Sequence, residues 1–113
     1  MQKQINLEDM QDRLLKRKKV LDEQIEIENG KVLPAGTGGK DRADLAYDYE
    51  YRAHRVALLN QLESQVEEIN EALVRIETGD YGICSNCGEA IMPERLEALP
   101  YADLCIKCQR KEA

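Results

Sequence analysis

Residues 82–108 read GICSNCGEAIMPERLEALPYADLCIKC, and the four cysteines in this stretch, Cys84, Cys87, Cys105 and Cys108, decide the fold. They fall as C-x2-C, a gap of 17 residues, then C-x2-C, which is metal-site spacing. Two residues between cysteines let one tight turn aim both sulfurs at a single ion. Gly88, directly after the first pair, is free to take positive φ where a turn offers backbone N–H groups to thiolates. Four thiolates with no fifth ligand describe a closed, structural Zn2+ site, with no open position for Lewis-acid chemistry. Disulfides are the rival reading. Bridges within each C-x2-C would close trivial loops and stabilise little. The N-terminal stretch MQKQINLEDMQDRLLKRKK also has no apolar signal core that would send the chain to an oxidising compartment. A thiol redox switch is the third possibility, because paired C-x-x-C thiols can have depressed pKa values. No βαβ pattern supports a thioredoxin-like version of it.

A module over residues 80–113 is shorter than the roughly 40 residues at which unaided folding becomes doubtful, so metal is expected to decide whether it folds. Ile83, Ile91, Leu96, Leu99 and Leu104 supply a minimal core, and Asp103 is placed to cap a last short helix carrying Cys108.

Upstream, Val56 and Leu59 begin a run continued by Leu62, Val66, Ile69, Leu73 and Ile76, and from Leu59 to Ile76 the steps are 3, 4, 3, 4 and 3, a heptad seam. This predicts a long helix from Asp41, or just before it, to a glycine cap at Thr78-Gly79. Tyr49 is expected to continue the seam, with Tyr47 and Tyr51 on a flank. His54 lies off the seam and far from the cysteines, a surface residue rather than a ligand. Residues 30–40, GKVLPAGTGGK, hold too many breakers for helix or strand and read as a turn. Before it, Leu7, Met10, Leu14, Leu21 and Ile25 mark an amphipathic helix over about Ile5 to Asn29. Lys16 to Lys19 form a basic run in its middle, read as a solvated stretch with one stem over the seam, with a phosphate or partner contact as the alternative. So short a connection makes the two helices antiparallel.

Composition agrees with that plan. Among 113 residues the aromatics are five Tyr, and 34% are charged, with mean hydropathy −0.59. High charge with periodic Leu, Ile and Val suits extended helices that bury a narrow seam. The expected architecture is mainly α: an antiparallel two-helix coiled-coil hairpin over 1–79, its tip at 30–41, then a small C-terminal four-cysteine zinc-finger module over 80–113. No apolar run approaches the ~20 residues of a membrane span, so a soluble, cytoplasmic protein is expected. The net charge of −6 gives no basic face for nucleic acid, which would need one to release counterions. A basic partner protein, or a cavity in one, fits better.

Asp41 and Asp44, in DRADLA, stand at the start of the second helix. They can serve as helix caps facing the positive end of the dipole. Their i, i+3 spacing also places both acids on one face at the far end of a narrow rod.

The cysteine stretch, preceded by a long helix that begins DRADLA, closely resembles the DksA/TraR family of bacterial zinc-finger transcription factors. The resemblance runs without a gap from Asp41 to Gln109, with RLEALP…ADLC between the cysteine pairs its most specific part. The first helix fits more loosely. It implies that the hairpin enters the secondary channel of RNA polymerase and that DNA binding is not needed. The family's tip pattern, Asp-x-x-Asp-x-Ala, matches Asp41, Asp44 and Ala46, which by resemblance act near the polymerase active centre and weaken open complexes. Members that respond to guanosine tetraphosphate carry basic residues where this chain has Glu67, Glu68, Leu99 and Gln109. A polyanionic nucleotide would meet acid there, so none is expected to bind at that site. The chain is also shorter at both ends than the longest members. The alternative is a zinc-containing coiled-coil structural or adaptor protein whose tip acids are only caps. Transcript cleavage through a tip-bound Mg2+ and thiol redox chemistry are the enzyme-like readings. With no nucleophile–base pair and no phosphate-cradling loop in strand–helix context, the chain is expected not to be an enzyme.

Overall fold

The computed structural model describes residues 5–30 and 42–112. Four helices follow in order: α1 (Leu7–Gly30), α2 (Arg42–Thr78), α3 (Pro93–Ala98) and α4 (Ile106–Glu112). The expected turn at 30–40 lies outside the described residues except for Gly30, which ends α1.

Local signals set the helix ends. Asn6 caps α1: its side-chain oxygen accepts from the Asp9 N–H at 3.1 Å, and its carbonyl accepts from Met10 N–H at 3.0 Å, the arrangement of an N-cap residue. Gly79, at φ 85°, ends α2 as expected. Asp80 N–H reaches back to the Arg75 carbonyl at 2.9 Å, the bond of a glycine-terminated Schellman cap. Pro93 opens α3, where its missing N–H has no helical partner to lose.

By packing, the chain forms two compact units, Met1–Lys18 with Glu67–Ala113, and Lys19–Val66. In the second unit the end of α1 lies antiparallel to the first part of α2, held by an Arg55–Glu28 ion pair. Leu21, Leu59 and Leu62 are buried there. Tyr49 does not continue the seam. It is 74% exposed, as Tyr47 is at 69%, while Asp48 beside it is buried. Counting back from Leu59 by four, three and four gives Arg55, Arg52 and Asp48, so the heptad register carries on through charged residues. Val56, expected to begin the run, is likewise 46% exposed, because the stripe passes through Arg55 one position before it.

In the first unit, Met10 and Leu14 of α1 and Ile69 and Ala72 of α2 are buried. The cysteine module folds on a small core of Cys84, Ile91, Leu96, Leu104, Cys105 and Cys108, with Ile5, Tyr81 and Ala102 packed against it. Ile83, expected in that core, is 43% exposed, because it forms an isolated antiparallel bridge with Ala90. That bridge leaves the alternate positions, Cys84 and Ile91, to point inward. Among the described residues no helix is long and apolar enough to cross a membrane.

Candidate metal centre

Two short structures deliver the four thiols. The first is a knuckle on the bridge: Cys84 N–H donates to the Glu89 carbonyl at 2.8 Å and Ile91 N–H to the Gly82 carbonyl at 2.7 Å. Gly88, at φ 77°, closes the turn by donating to the Cys84 carbonyl at 2.9 Å. The positive φ expected at this glycine is present. The second is the start of α4, where Gln109 N–H donates to the Cys105 carbonyl at 2.9 Å and one turn of helix carries Cys108. Ser85 N–H joins the two by donating to the Asp103 carbonyl at 2.8 Å. The Asp103 carboxylate, expected as a cap of α4, instead lies 3.7 Å from Arg75 Nη2 on α2.

All four sulfurs lie within 4.8 Å of one another. Cys87 Sγ and Cys105 Sγ are 3.8 Å apart, which matches the edge of a tetrahedron of ~2.3 Å Zn–S bonds, about 3.8 Å. Cys84 and Cys108 are buried, and Cys87 is exposed. The donor set suits thiolates. Backbone N–H groups of Cys105 and Cys87 lower the Cys84 thiol to about 6 against some opposing burial, with Asn86 N–H adding to them. A backbone donor from Cys108 likewise lowers Cys105. Cys87 receives the Glu89 N–H, which favours its thiolate. Its contacts with the other three sulfurs, together with desolvation, nevertheless push it up to about 12. Four thiolates at such distances repel one another, and only a cation among them makes the fully ionised set stable. A closed set of soft sulfur donors at tetrahedral spacing fits zinc as a structural ion.

Reading the sequence missed the groups around the sulfurs. Asn86 Nδ2 donates to Cys108 Sγ at 3.3 Å, a bond that orients a ligand from outside the metal shell. Its only signal was an amide inside C-S-N-C. The segment between the cysteine pairs is tied to the long helices by polar side chains. Arg13 Nη2 donates to the Glu97 carbonyl at 3.1 Å, satisfying an end of α3. Arg17, one of the basic run, lies 5.6 Å from the Tyr101 ring centroid, within cation–π range. Tyr81 Oη donates to the Pro100 carbonyl at 2.7 Å, and burial pushes its phenol up to about 12. Arg95 Nε donates to the Leu104 carbonyl at 3.0 Å, fixing the residue before Cys105.

The other singled-out residues are placed as follows. Asp41 lies outside the described residues. Asp44 is in α2 with its side chain outside the description, and Ala46 is exposed. Glu68, Leu99 and Gln109 come together around one cavity of about 160 Å3, with Arg95, Tyr101, Ala102 and Asp103. Glu67 is not among them; it lines a separate groove on α2 with Asn70, Glu71, Val74 and Arg75. Burial, and after it the charges of Asp103 and Glu71, raise the Glu68 carboxyl.

Residues 79–112 match the prokaryotic dksA/traR C4-type zinc finger. With the four converging thiols, this assigns the chain one structural zinc. Among curated proteins, the RNA polymerase-binding transcription factor DksA of Haemophilus influenzae is 37% identical over 73 residues, 65% of this chain and 50% of that protein. The protein of the same name in Escherichia coli K12 is 46% identical over 44 residues, 39% of this chain and 29% of that one. The chain thus spans half or less of the length of these relatives. The solved structure of transcription factor DksA2 from Pseudomonas aeruginosa superposes with a TM-score of 0.81 at 33% identity, covering 94% of this chain and 81% of that one.

Proposed function

Because the chain belongs to the DksA/TraR family, we propose that it is a transcription regulator that binds RNA polymerase through the secondary channel. In this reading the hairpin enters the channel, and Asp41, Asp44 and Ala46 modulate initiation from its tip without any contact to DNA. Cys84, Cys87, Cys105 and Cys108 hold the zinc, whose part is to cross-link the module rather than to catalyse. The observation that carries the reading is the match to DksA2 over 94% of this chain: it takes in both long helices as well as the cysteine module. An acidic chain is also suited to a basic protein cavity and ill-suited to a phosphate backbone.

No guanosine tetraphosphate is expected at the family site. The cavity bounded by Glu68, Leu99 and Gln109 also holds Asp103, and burial beside that acid already disfavours negative charge on Glu68. A polyanion would add to the same repulsion. Arg95 is the cation at this cavity, and its Nε is committed to the Leu104 carbonyl. Calorimetry with the nucleotide and free protein is expected to show no binding; saturable tight binding would contradict this.

Transcription in vitro with purified polymerase tests the main reading. Asp41→Asn with Asp44→Asn should keep polymerase binding and lose the effect on open complexes. Equal loss of binding and effect would make the two acids helix caps only. Wild-type protein that neither binds polymerase nor alters transcription would leave the adaptor alternative, in which the hairpin pairs with another coiled coil.

A further inference from the structure

Asp48, Arg52, Arg55, Leu59 and Leu62 follow one another along α2 at steps of four, three, four and three, the spacing of core positions in a coiled coil. Leu59 and Leu62 are buried, and so is Asp48 at 8% exposure. The matching row on α1 runs Leu21, Ile25, Glu28, and Glu28 is equally buried at 8%. The Lys19–Val66 unit therefore changes the chemistry of its core part-way along. Hydrocarbon fills it at Leu21, Leu59 and Leu62, and charge at Glu28, Asp48 and Arg55. Arg55 Nη1 donates to Glu28 Oε2 at 2.5 Å, and its guanidinium lies 5.2 Å from the Tyr51 ring centroid.

An ion pair that buries its carboxylate and half-buries its guanidinium is a poor way to gain stability, since well-packed apolar residues of similar size do as well or better. It is an effective way to reject wrong pairings. Glu28 faces Arg55 in the observed register. A slip of one heptad in either direction would set it against Leu62 or Asp48, that is, against hydrocarbon or a like charge. Both take from a buried carboxylate the guanidinium it meets in the observed register, which is costlier than an imperfect leucine contact. A seam of leucines alone has no comparable penalty for sliding.

We propose that Glu28, Arg55 and Tyr51 form a register lock for the hairpin. The layer fixes which residue of α1 meets which residue of α2. It thereby holds in one relation the two helix ends from which residues 31–41 depart. Glu28 lies two residues before the end of α1 at Gly30, so no later core layer on α1 could set this relation instead. The lock is a property of the free protein and stands or falls apart from the polymerase reading.

The test compares the full-length, zinc-loaded wild type with Arg55→Leu, with Glu28→Leu plus Arg55→Leu, and with the charge exchange Glu28→Arg plus Arg55→Glu. Thermal melting, sedimentation and 15N amide spectra are read for each. Arg55→Leu should lower the melting midpoint by about 4 °C or more, because it takes the Arg55 guanidinium away from a buried carboxylate. The double leucine variant should melt at or above the wild-type temperature, yet show more than one set of amide resonances for α1 and α2, or a changed oligomeric state. The charge exchange should restore a single set. A double leucine variant with one set of resonances, wild-type contacts around Leu21 and unchanged sedimentation would overturn the proposal. So would one that melts well below wild type, because the pair would then act as a source of stability rather than of register. Should Arg55→Leu fail to fold, the two double variants still decide between these outcomes.

Discussion

The cysteine module and the Lys19–Val66 unit solve the same problem, a shortage of hydrocarbon, in opposite ways. The cysteine module has Ile91, Leu96 and Leu104 as its buried aliphatic residues, and completes its core with sulfur that needs a cation to be stable. The Lys19–Val66 unit has a leucine seam and gives up part of it to an ion pair between Glu28 and Arg55. In the first, charge is gathered at one point and neutralised by a metal supplied from outside. In the second, both signs are built into the chain and neutralise each other. The module should therefore fold or unfold with metal supply, whereas the helical seam should be indifferent to it and sensitive to which residues face each other.

Removing the zinc gives the largest expected effect and strains that contrast most. A strong chelator should abolish ordered resonances from residues 81–111 while much of the far-ultraviolet helical signal persists. Structural zinc supplies an apparent ~10–16 kcal/mol, comparable with the whole stability of a small domain. Full cooperative loss of helicity would show that the seam depends on the metal as the module does, and would remove the contrast. Acid should reproduce the effect of the chelator: each ligand must shed a proton to bind, so zinc is released as pH falls, and zinc release monitored across a titration checks the sign. Next in size, Leu96→Ala empties a fully buried position (0% exposed) and should cost about 2–5 kcal/mol. Its denaturation transition should shift in the metal-loaded protein. Asn86→Ala removes the donor to Cys108 Sγ and should weaken zinc about 10–100-fold, measured by competition with a chromophoric chelator. The smallest is Gly79→Ala. At φ 85° a side chain strains the α2 cap by about 1–2 kcal/mol, although nothing within 4 Å obstructs the added carbon. A thermal melt with no shift would remove the cap from the account.

Most of the module was legible because its constraints are local. Cysteine spacing, a glycine after the first pair and leucines between are each a short-range pattern, and the structure brings them together as the pattern requires. The apolar half of the seam was legible for the same reason: Leu59 to Ile76 repeat without interruption. The charged half was not, because Asp48, Arg52 and Arg55 carry the heptad step but none of its hydropathy. Tyr49, one residue away, offered a more plausible apolar candidate. Whether a carboxylate is buried depends on the guanidinium it meets across the hairpin, and Glu28 and Arg55 are 27 positions apart. Arg13, Arg17 and Tyr81 were illegible on similar grounds. Their partners are backbone carbonyls and a ring brought close only by the fold, and a basic run looks like a solvated face until Tyr101 stands under one of its members. Ile83 was misplaced by one step because a single bridge, too short to show as a strand pattern, sets which of its neighbours turn inward.

The central claim is that the hairpin end carrying Asp41, Asp44 and Ala46 enters RNA polymerase. Its most direct test is a photo-crosslinker, p-benzoylphenylalanine, in place of Tyr47, an exposed aromatic position next to those residues. Irradiation of the zinc-loaded protein with purified polymerase should yield crosslinks mapping inside the secondary channel, near the active centre. Crosslinks to DNA, to the outer surface of polymerase alone, or to none of its subunits at saturating protein would contradict the account.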